Sequence, residues 1–382
     1  MESSVKIPFN KPYLHGRELV YIAEAVASGK ISGDGIFTNK CHDFFQKKYG
    51  FSKAFMTTSC TDALEMTAIL LEVCPDDEVI VPAFTFVSSA NAFALRGAKL
   101  VFADSDPDNP NISVKEIEAL ISPRTKAIVV VHYAGVACDM DPILALAEKN
   151  SIAVIEDAAQ SIDSYYKGRP LGGIGAMGAF SFHETKNVIA GEGGLLTIND
   201  ASYIHRAEII REKGTNRSAF FRGEVNKYGW VDIGSSFLPS DIISAYLFAQ
   251  LENLEAIQLR RKEIWRQYWN AFSQKIGYYG VQIPLIPDYA TNNAHMFYLV
   301  CPSLKIRTAL IDGLKEKGIH AVFHYISLHN SSYHQEKHDG RPLPCSDHFS
   351  DCLVRLPLFF ELSDEQCAYI CDTVMQTLSK VS

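Results

Sequence analysis

The chain is 382 residues long and carries a formal net charge of −8, with 44 acidic against 36 basic residues. This balance argues against nucleic acid or an anionic membrane as the main partner, because both favour a basic surface. The nine cysteines are scattered without CxxC spacing, and no apolar stretch is typical of a signal peptide or a membrane span. We therefore expect a soluble cytoplasmic protein with reduced thiols and no metal site.

Short apolar runs alternate with helical patterns between about residues 50 and 200. This alternation predicts a mostly parallel sheet that is covered by helices on both faces. The predicted strands are Ala54–Thr57, Glu78–Val81, Lys99–Phe102, Ala127–His132, Ile152–Ile155, Ala179–Phe182 and Leu195–Ile198. The predicted connecting helices are Asp62–Val73, Val114–Ile121 and Pro142–Lys149.

The second half of the chain predicts a smaller unit, and the chain length also favours two domains. Its predicted elements are a bridging helix over Asp241–Phe272, strands near Ala294–Val300 and Ala321–His324, and a closing helix from Ser363. We expect an α/β fold with a large domain over residues 1–250 and a smaller α+β domain over residues 251–382.

Two of the predicted strands end close to residues that carry chemistry. Glu156 and Asp157 directly follow one strand, and Lys186 lies four residues after another. Because parallel strands deliver the residues at their carboxyl ends to a ligand crevice, an acid and an amine would face each other across a pocket. A pyridoxal phosphate enzyme needs this pair, with the lysine for the aldehyde and the carboxylate for the pyridine nitrogen. A surface lysine after a core strand remains the alternative interpretation.

Two loops that follow strands are candidates for holding such a cofactor. Cys60 and Thr61 lie where the first strand turns into a helix, and the free N–H groups and clustered hydroxyls of such a turn form a phosphate cradle. Asp62 and Glu65 also resemble a capping box, so a simple helix cap remains open. Phe86 follows the second strand and is placed to stack on a flat ring, although most phenylalanines belong to the core.

Residues 173–178 match the GxGxxG dinucleotide motif letter for letter. That motif must follow a strand and open a helix. Here it follows the turn-like residues 167–171 and runs into a predicted strand. We therefore interpret it as a turn and reject the nicotinamide-dependent oxidoreductase that it suggests.

A basic stretch lies between residues 204 and 223, with a local excess of three positive charges. On an acidic protein such a stretch is suited to docking a diphosphate. Solvated charge on a helix is an equally good interpretation. The basic residues are Arg206, Arg211, Lys213, Arg217 and Arg222.

Taken together, these features resemble the DegT/DnrJ/StrS family of sugar-nucleotide aminotransferases over nearly the whole chain. The strings at 132–141, 181–187 and 208–217 are similar to those of members that make dTDP-4-amino-4,6-dideoxygalactose. The resemblance implies a fold-type I pyridoxal phosphate enzyme that transfers the amino group of L-glutamate to C4 of dTDP-4-keto-6-deoxyglucose. The residues whose spacing carries it are Thr61, Phe86, Asp157, Gln160, Ser181 and Lys186.

The resemblance also implies a role for each matched residue. Lys186 would bind the cofactor covalently, Asp157 would hold the pyridine N–H, and Gln160 would lie near the ring hydroxyl. Phe86 would stack on the ring face. The residues implied to hold the phosphate are Cys60, through its backbone N–H, Thr61 and Ser181.

A further group of residues is implied to act in a homodimer with shared active sites. Ser236 stands where relatives often place an asparagine that reaches the cofactor phosphate of the partner subunit. Lys213, Arg217 and His329 are implied contacts of the sugar nucleotide, together with the turn at residues 32–35.

The resemblance leaves the configuration of the product open. Protonation on the other face of the sugar C4 would give 4-amino-4,6-dideoxyglucose, the viosamine type. Relatives that remove the 3-hydroxyl carry histidine in place of the lysine, so Lys186 favours transamination. A regulator that binds the nucleotide sugar without turnover is the alternative from another class.

Overall fold

The computed structural model describes residues 6–381, and a seven-stranded sheet lies at its centre. The strands are β1 Lys53–Thr57, β2 Glu78–Pro82, β3 Lys99–Ala103, β4 Thr125–Val131, β5 Ala153–Asp157, β6 Tyr165–Tyr166, β7 Arg169–Pro170, β8 Met177–Ser181, β9 Gly194–Ile198, β10 Phe297–Val300 and β11 Leu353–Leu356. The central sheet has the order β1-β9-β8-β5-β4-β2-β3. Six of its strands run in one direction, and β9 is antiparallel to both of its neighbours.

Helices cover both faces of the sheet, and others belong to the C-terminal part of the chain. The helices of the described residues are α1 Glu18–Ala27, α2 Ile36–Tyr49, α3 Cys60–Leu70, α4 Ser88–Ala94, α5 Val114–Leu120, α6 Met140–Asn150, α7 Ile204–Arg211, α8 Arg217–Phe221, α9 Asp241–Glu252, α10 Leu254–Phe272, α11 Leu304–Glu316, α12 Pro344–Cys352 and α13 Asp364–Val381. Alternate residues of a strand face opposite layers. Val79 and Val81 pack with Leu64 of α3, whereas Ile80 packs with Ile143 of α6. Burial on both faces explains why the parallel strands are continuous apolar runs.

The predicted mostly parallel sheet is confirmed, and each predicted strand of this sheet lies within two residues of an observed one. Two helix predictions need correction. The helix predicted from Asp62 begins already at Cys60 and ends at Leu70. The helix predicted over Asp241–Phe272 is two helices, because Asn253 leaves the helical conformation with φ −105° and ψ 11°.

The break at Asn253 separates two packing partners. Before it, α9 packs against α1 and α2 beside the central sheet. After it, α10 packs against α13 and contributes Ile264, Tyr268 and Phe272 to a second core. This second core, here called the C-terminal core, surrounds the two-stranded sheet of β10 and β11.

The predicted strand over Ala321–His324 is wrong, because only Val322 pairs there, in an isolated bridge to Arg355. The segment near the start of the described chain also contributes to the C-terminal core. Ile7 is buried in it and pairs with Ile319.

The domain division at residues 250 and 251 stays a prediction. Across residues 6–381, no helix combines the length and apolar character needed to cross a membrane.

Candidate active site

A cavity of about 530 Å³ opens where the parallel strands of the central sheet end. This volume lies within the range of small-molecule sites, and the position is the usual one for ligands of α/β sheets. The cavity, here called the Lys186 cavity, brings together seven residues that were predicted from the sequence. They are Cys60, Thr61, Phe86, Asp157, Gln160, Ser181 and Lys186.

Asp157 ends β5 and is buried in the wall of this cavity. Its Oδ2 accepts a hydrogen bond from the Ser89 hydroxyl at 2.6 Å, and its Oδ1 accepts one from the N–H of Ala159 at 3.1 Å. Burial raises the pKa of Asp157, whereas the two donors favour the ionised form. A protonated ring nitrogen in the cavity would supply the opposite charge that a buried carboxylate requires.

Glu156, the other half of the acidic pair, points away from the cavity because successive strand residues face opposite sides. Its Oε1 accepts the N–H groups of Ile174 and Gly175 at 2.7 and 2.6 Å. Its Oε2 accepts the N–H of Gly172 at 2.7 Å and lies 3.0 Å from Nε2 of His132. Glu156 therefore organises the glycine-rich turn that leads into β8, and the interpretation of that stretch as a turn is confirmed.

Lys186 lies in the turn between β8 and β9, where its backbone N–H donates to the carbonyl of His183 at 2.9 Å. Burial lowers the pKa of its amine to about 8, and the positive charge of Arg355 acts in the same direction. Cys60 and Asp157 act against this shift. A substantial fraction of neutral amine near physiological pH is what a nucleophile or a proton carrier needs.

The start of α3 is the segment for which the sequence predicts a phosphate cradle, here called the cradle. Ser59 is the N-cap, and its Oγ accepts the N–H of Asp62 at 3.0 Å. Thr61 Oγ1 lies 2.8 Å from Ser88 Oγ, so two hydroxyls meet beside the free N–H groups of the first turn. Burial raises the pKa of the Cys60 thiol well above its usual value, so this residue offers its backbone N–H rather than a thiolate.

Gly194 of β9 brings the sheet directly against this cradle. A Cβ at this position would lie 2.3 Å from the carbonyl carbon of Ser59 and 2.5 Å from the backbone nitrogen of Cys60. Only glycine allows the helix start to remain here. The cradle, the buried acid and the amine fit the three parts of pyridoxal phosphate: phosphate, ring nitrogen and aldehyde.

Two aromatic rings and an amide complete the wall of the cavity. Phe86 is half exposed to the cavity, and its ring centroid lies 5.7 Å from that of Tyr325. Gln160 accepts the N–H of Ala134 at 2.6 Å through Oε1, and its Nε2 lies 3.4 Å from the Tyr325 hydroxyl. The Gln160 amide is therefore held in one orientation beside the space for a ring.

Four of the predicted site residues lie outside the Lys186 cavity. Ser236, Lys213 and Arg217 line another cavity of about 690 Å³, here called the Lys213 cavity, which also includes part of the turn at residues 32–35. His329 lines neither of these two cavities. It is buried, with Nε2 3.4 Å from a carboxylate oxygen of Asp347. Within one chain, these residues are not brought to Lys186.

The basic stretch beside the Lys213 cavity is partly neutralised by carboxylates. Three of its arginines form ion pairs, whereas Lys213 and Arg217 form none with residues 6–381. The pairs are Arg206–Asp232 at 2.7 Å, Arg211–Asp34 at 2.6 Å and Arg222–Glu208 at 2.9 Å. Two cations thus remain available for an anion, while most of the stretch is structural.

Sequence reasoning missed two residues that line the Lys186 cavity, Arg355 and Tyr325, and a third, Ser89, that contacts Asp157 in its wall. Ser89, which binds Asp157, follows Phe86 closely, and a pair of serines after a strand end was an available signal. Arg355 interrupts the apolar run at residues 353–358, and a charge inside a buried strand was a second signal. Tyr325 had no local signal, because its position follows from how the C-terminal core sits on the sheet.

The chain is similar to several aminotransferases of known structure. Spr1654 of Streptococcus pneumoniae, described as a sugar aminotransferase, has a TM-score of 0.92 in its PMP form, with 27% identity over 99% of this chain and 100% of that one. Its PLP form has a TM-score of 0.90, with 27% identity over 98% and 99%. The aminotransferase TlmJ of Streptoalloteichus hindustanus has a TM-score of 0.91, with 29% identity over 98% and 100%.

The fold and the Lys186 cavity define a fold-type I aminotransferase that uses pyridoxal phosphate, and both expectations are confirmed. The chain belongs to the DegT/DnrJ/EryC1/StrS aminotransferase family, whose profile matches residues 12–375. The family resemblance drawn from the sequence is therefore confirmed as well.

Proposed function

We propose that the chain transfers the amino group of L-glutamate to C4 of dTDP-4-keto-6-deoxy-D-glucose. The products are dTDP-4-amino-4,6-dideoxy-D-galactose and 2-oxoglutarate. The single observation that carries the amino transfer is the meeting of a buried Asp157 and an amine of lowered pKa, Lys186, in one cavity. The nucleotide sugar is supported by the sequence strings at 132–141, 181–187 and 208–217.

The residues of the Lys186 cavity bind different parts of the cofactor. Pyridoxal phosphate, when bound, supplies a sink for the electrons of the bond between Cα and hydrogen of the donor. The hydroxyls and N–H groups around Thr61 hold its phosphate, with Ser181 on the adjoining strand. Asp157 keeps a proton on the ring nitrogen, because a nearby negative charge favours the protonated form. Gln160 and Phe86 fix the position of the ring.

Lys186 is the residue that moves protons. As a neutral amine it removes the proton from Cα of glutamate, and on the sugar it delivers a proton to C4. A pKa of about 8 suits both directions, because a general acid–base group works best when its pKa lies near the operating pH.

We propose a homodimer in which each subunit contributes to the active site of the other. Trp230 is 83% exposed, and Phe221 and Leu19 are also largely exposed. An interface that covered these side chains would remove large apolar surfaces from water. The unpaired cations Lys213 and Arg217 would then contact the diphosphate bound by the partner subunit, with Ser236 at its cofactor phosphate.

The shared site is tested by mixing two inactive variants. Lys186→Ala and Arg217→Glu each remove a different half of the proposed site. Mixed dimers made by co-expression are expected to regain activity, because one of their two sites is then intact. No recovery in isolated mixed dimers would refute sharing, and a monomer in analytical ultracentrifugation would refute the dimer.

The amino transfer itself is tested with Lys186→Ala. We expect a folded protein that makes no 2-oxoglutarate from glutamate and the thymidine ketosugar. Lys47→Ala is the matched control, because Lys47 is exposed and its ion pair is with Asp43 on its own helix. Turnover by Lys186→Ala at the rate of the unchanged protein would end the assignment.

The configuration at C4 is tested by NMR of the aminated sugar. A galacto product supports the proposal, and a gluco product would replace it by the viosamine-type reaction. A protein that forms no 2-oxoglutarate with any nucleotide ketosugar would instead be a sensor of such sugars.

We also propose the cytoplasm as the location of the enzyme. The nine cysteines are free thiols, as expected in a reducing compartment. Fractionation of the source cells would test this, and recovery from an oxidising compartment would contradict it.

A further inference from the structure

Two buried hydroxyl groups, those of Thr85 and Ser89, lie beside Asp157. Ser89 is 0% exposed and Thr85 is 1% exposed. The Ser89 hydroxyl donates to Oδ2 of Asp157 at 2.6 Å, and its oxygen lies 2.9 Å from Oγ1 of Thr85. The bond to Asp157 joins residues that are 68 positions apart in the sequence. It is therefore a tertiary contact and not a local cap of α4.

The chemistry of the three groups fixes the direction of their hydrogen bonds. An ionised carboxylate has no proton to donate, so the single hydroxyl proton of Ser89 is committed to Asp157. The Ser89 oxygen then accepts, and Thr85 donates to it. A hydroxyl that accepts one hydrogen bond is polarised, which strengthens the bond that it donates in a buried setting. Thr85 and Ser89, here called the hydroxyl pair, therefore act on Asp157 together.

The Asp157 carboxylate depends on such donors because it is buried. Burial raises its pKa, whereas the hydrogen bond from Ser89 and the one from the N–H of Ala159 lower it. The positive charges of Lys186 and His132 also favour the ionised form. Among residues 6–381, Oδ2 accepts from Ser89 and Oδ1 accepts from Ala159, at 2.6 and 3.1 Å. Both oxygens are thus held, and the carboxylate is oriented before a ligand arrives.

The turn that carries the hydroxyl pair also carries other groups of the site. Thr85 follows β2, and Ser89 lies in the first turn of α4. Between them, Phe86 lines the Lys186 cavity, and Ser88 Oγ lies 2.8 Å from Thr61 Oγ1 of the cradle. A single short turn therefore fixes the acid relative to the predicted ring stack and the predicted phosphate site.

The proposed role of Asp157, on which this inference rests, requires a carboxylate that stays ionised although it is buried. A neutral carboxyl group would not favour a proton on the ring nitrogen of pyridoxal phosphate. Ser89 lies behind Asp157 and not in the lining of the cavity, so it acts on that nitrogen only through Asp157. We propose that Ser89 and Thr85 are positioning residues that orient Asp157 and hold it in the ionised form.

Binding of the cofactor to cofactor-free protein tests this separately from turnover. Ser89→Ala is expected to weaken binding of pyridoxal phosphate about tenfold or more, since a hydrogen bond to a charged group is lost. Thr85→Val, which keeps the volume, should cause a smaller loss, and Thr85→Ser should restore binding. Thr67→Val is the matched control, because Thr67 is also buried but its hydroxyl donates to the carbonyl of Leu64 in its own helix.

A cofactor analogue separates positioning of the charge from a merely structural role. In the deaza analogue of pyridoxal phosphate, a C–H group replaces the ring nitrogen, so the charge of Asp157 has no partner on the ring. Ser89→Ala should therefore bind the analogue as well as the unchanged protein does. Nitrogen NMR of the labelled cofactor should show a protonated ring in the unchanged protein and a loss of that proton in Ser89→Ala. An equal loss of affinity for cofactor and analogue would overturn the proposal.

A double variant tests whether Ser89 acts through Asp157. In an Asp157→Asn background, Ser89→Ala should cause no further loss of cofactor affinity, because no carboxylate remains to be held. Two losses that simply add would contradict the proposal. If Ser89→Ala does not fold, Thr85→Val carries the test.

The same variants distinguish this inference from the proposed function. Normal cofactor binding by Ser89→Ala beside impaired binding by Asp157→Asn would refute only the role of the hydroxyl pair. Normal binding by both variants would refute the role of Asp157 as well. No sugar enters these measurements, so their results do not depend on the proposed acceptor.

Discussion

Glu156 and Asp157 are neighbours in the sequence, and we expect their amide variants to fail in different ways. Glu156→Gln should lower stability, because its oxygens accept from the ring of His132 and from three backbone N–H groups of the turn before β8. Asp157→Asn should lower catalysis while the fold remains intact. The pair of variants thus separates a structural carboxylate from a functional one.

The loss of free energy of unfolding in Glu156→Gln follows from the four hydrogen bonds of the Glu156 carboxylate. Each carboxylate oxygen accepts two hydrogen bonds, so an NH₂ group in either position faces two donors. His132 cannot relieve the conflict by changing tautomer, because its Nδ1 already accepts the N–H of Cys138 at 3.1 Å. Two buried donors without acceptors cost about 1–3 kcal/mol each. The free energy of unfolding should therefore fall by about 2–6 kcal/mol.

Asp157→Asn keeps its local hydrogen bonds. The amide oxygen can accept from Ala159, and the amide nitrogen can donate to Ser89, whose hydroxyl also lies 2.9 Å from that of Thr85. Stability without cofactor should be unchanged or slightly higher, because a buried charge is removed. Catalysis should fall about 30-fold or more, since loss of a buried opposite charge costs about 2 kcal/mol at the least.

The assay compares both variants at one protein concentration, without cofactor for stability and with it for turnover. Thermal unfolding of Glu156→Gln should shift down by roughly 4 °C or more, given about 2–4 °C per kcal/mol for domains of 150–250 residues. Equal melting temperatures for Glu156→Gln and the unchanged protein would refute the hydrogen-bond reasoning. Unimpaired turnover by Asp157→Asn would refute the assignment of Asp157.

Two further predictions concern cofactor capture. Gly194→Ala should weaken binding of pyridoxal phosphate at least about tenfold, because its Cβ would displace Ser59 and Cys60. Gly193→Ala is the control, because its Cβ would meet nothing closer than 3.3 Å. This control should bind the cofactor normally in a fluorescence titration. Equal affinities would contradict this account of the cradle. The rate at which cofactor-free enzyme reacts with the aldehyde should rise roughly tenfold from pH 7 to 9, since the neutral form of Lys186 increases through its pKa of about 8. A midpoint near pH 10 in stopped-flow absorbance would show that burial does not lower this pKa.

The central sheet was predictable because parallel strands that are buried on both faces are continuous apolar runs in the sequence. The residues at the ends of those runs, such as Asp157 and Thr61, could be located for the same reason. The break at Asn253 could not, because the apolar spacing continues through it and only the packing of α9 and α10 against different cores divides the helix. Tertiary packing there decides the local conformation.

The Lys213 cavity shows a second limit of prediction from the sequence. It depends on an ion pair between Arg211 and Asp34, which are far apart in the sequence. Spacing along the chain identified Lys213 and Arg217 as candidate contacts of an anion. It did not show that they lie in a cavity other than that of Lys186. Such long-range pairing is not encoded in any local pattern.

The attachment of Ile7 to the C-terminal core restricts how far the Lys186 cavity can widen. Ile7 is fastened by backbone hydrogen bonds to Gly318 and His320, and Asn10 is fastened by its side chain to the carbonyl of Glu184, beside Lys186. Three residues of fully extended chain span only about 10 Å. Phe9, which lies within this short segment, lines the Lys186 cavity. At this wall, the C-terminal core and the turn that carries Lys186 therefore cannot move far apart without breaking one of these hydrogen bonds.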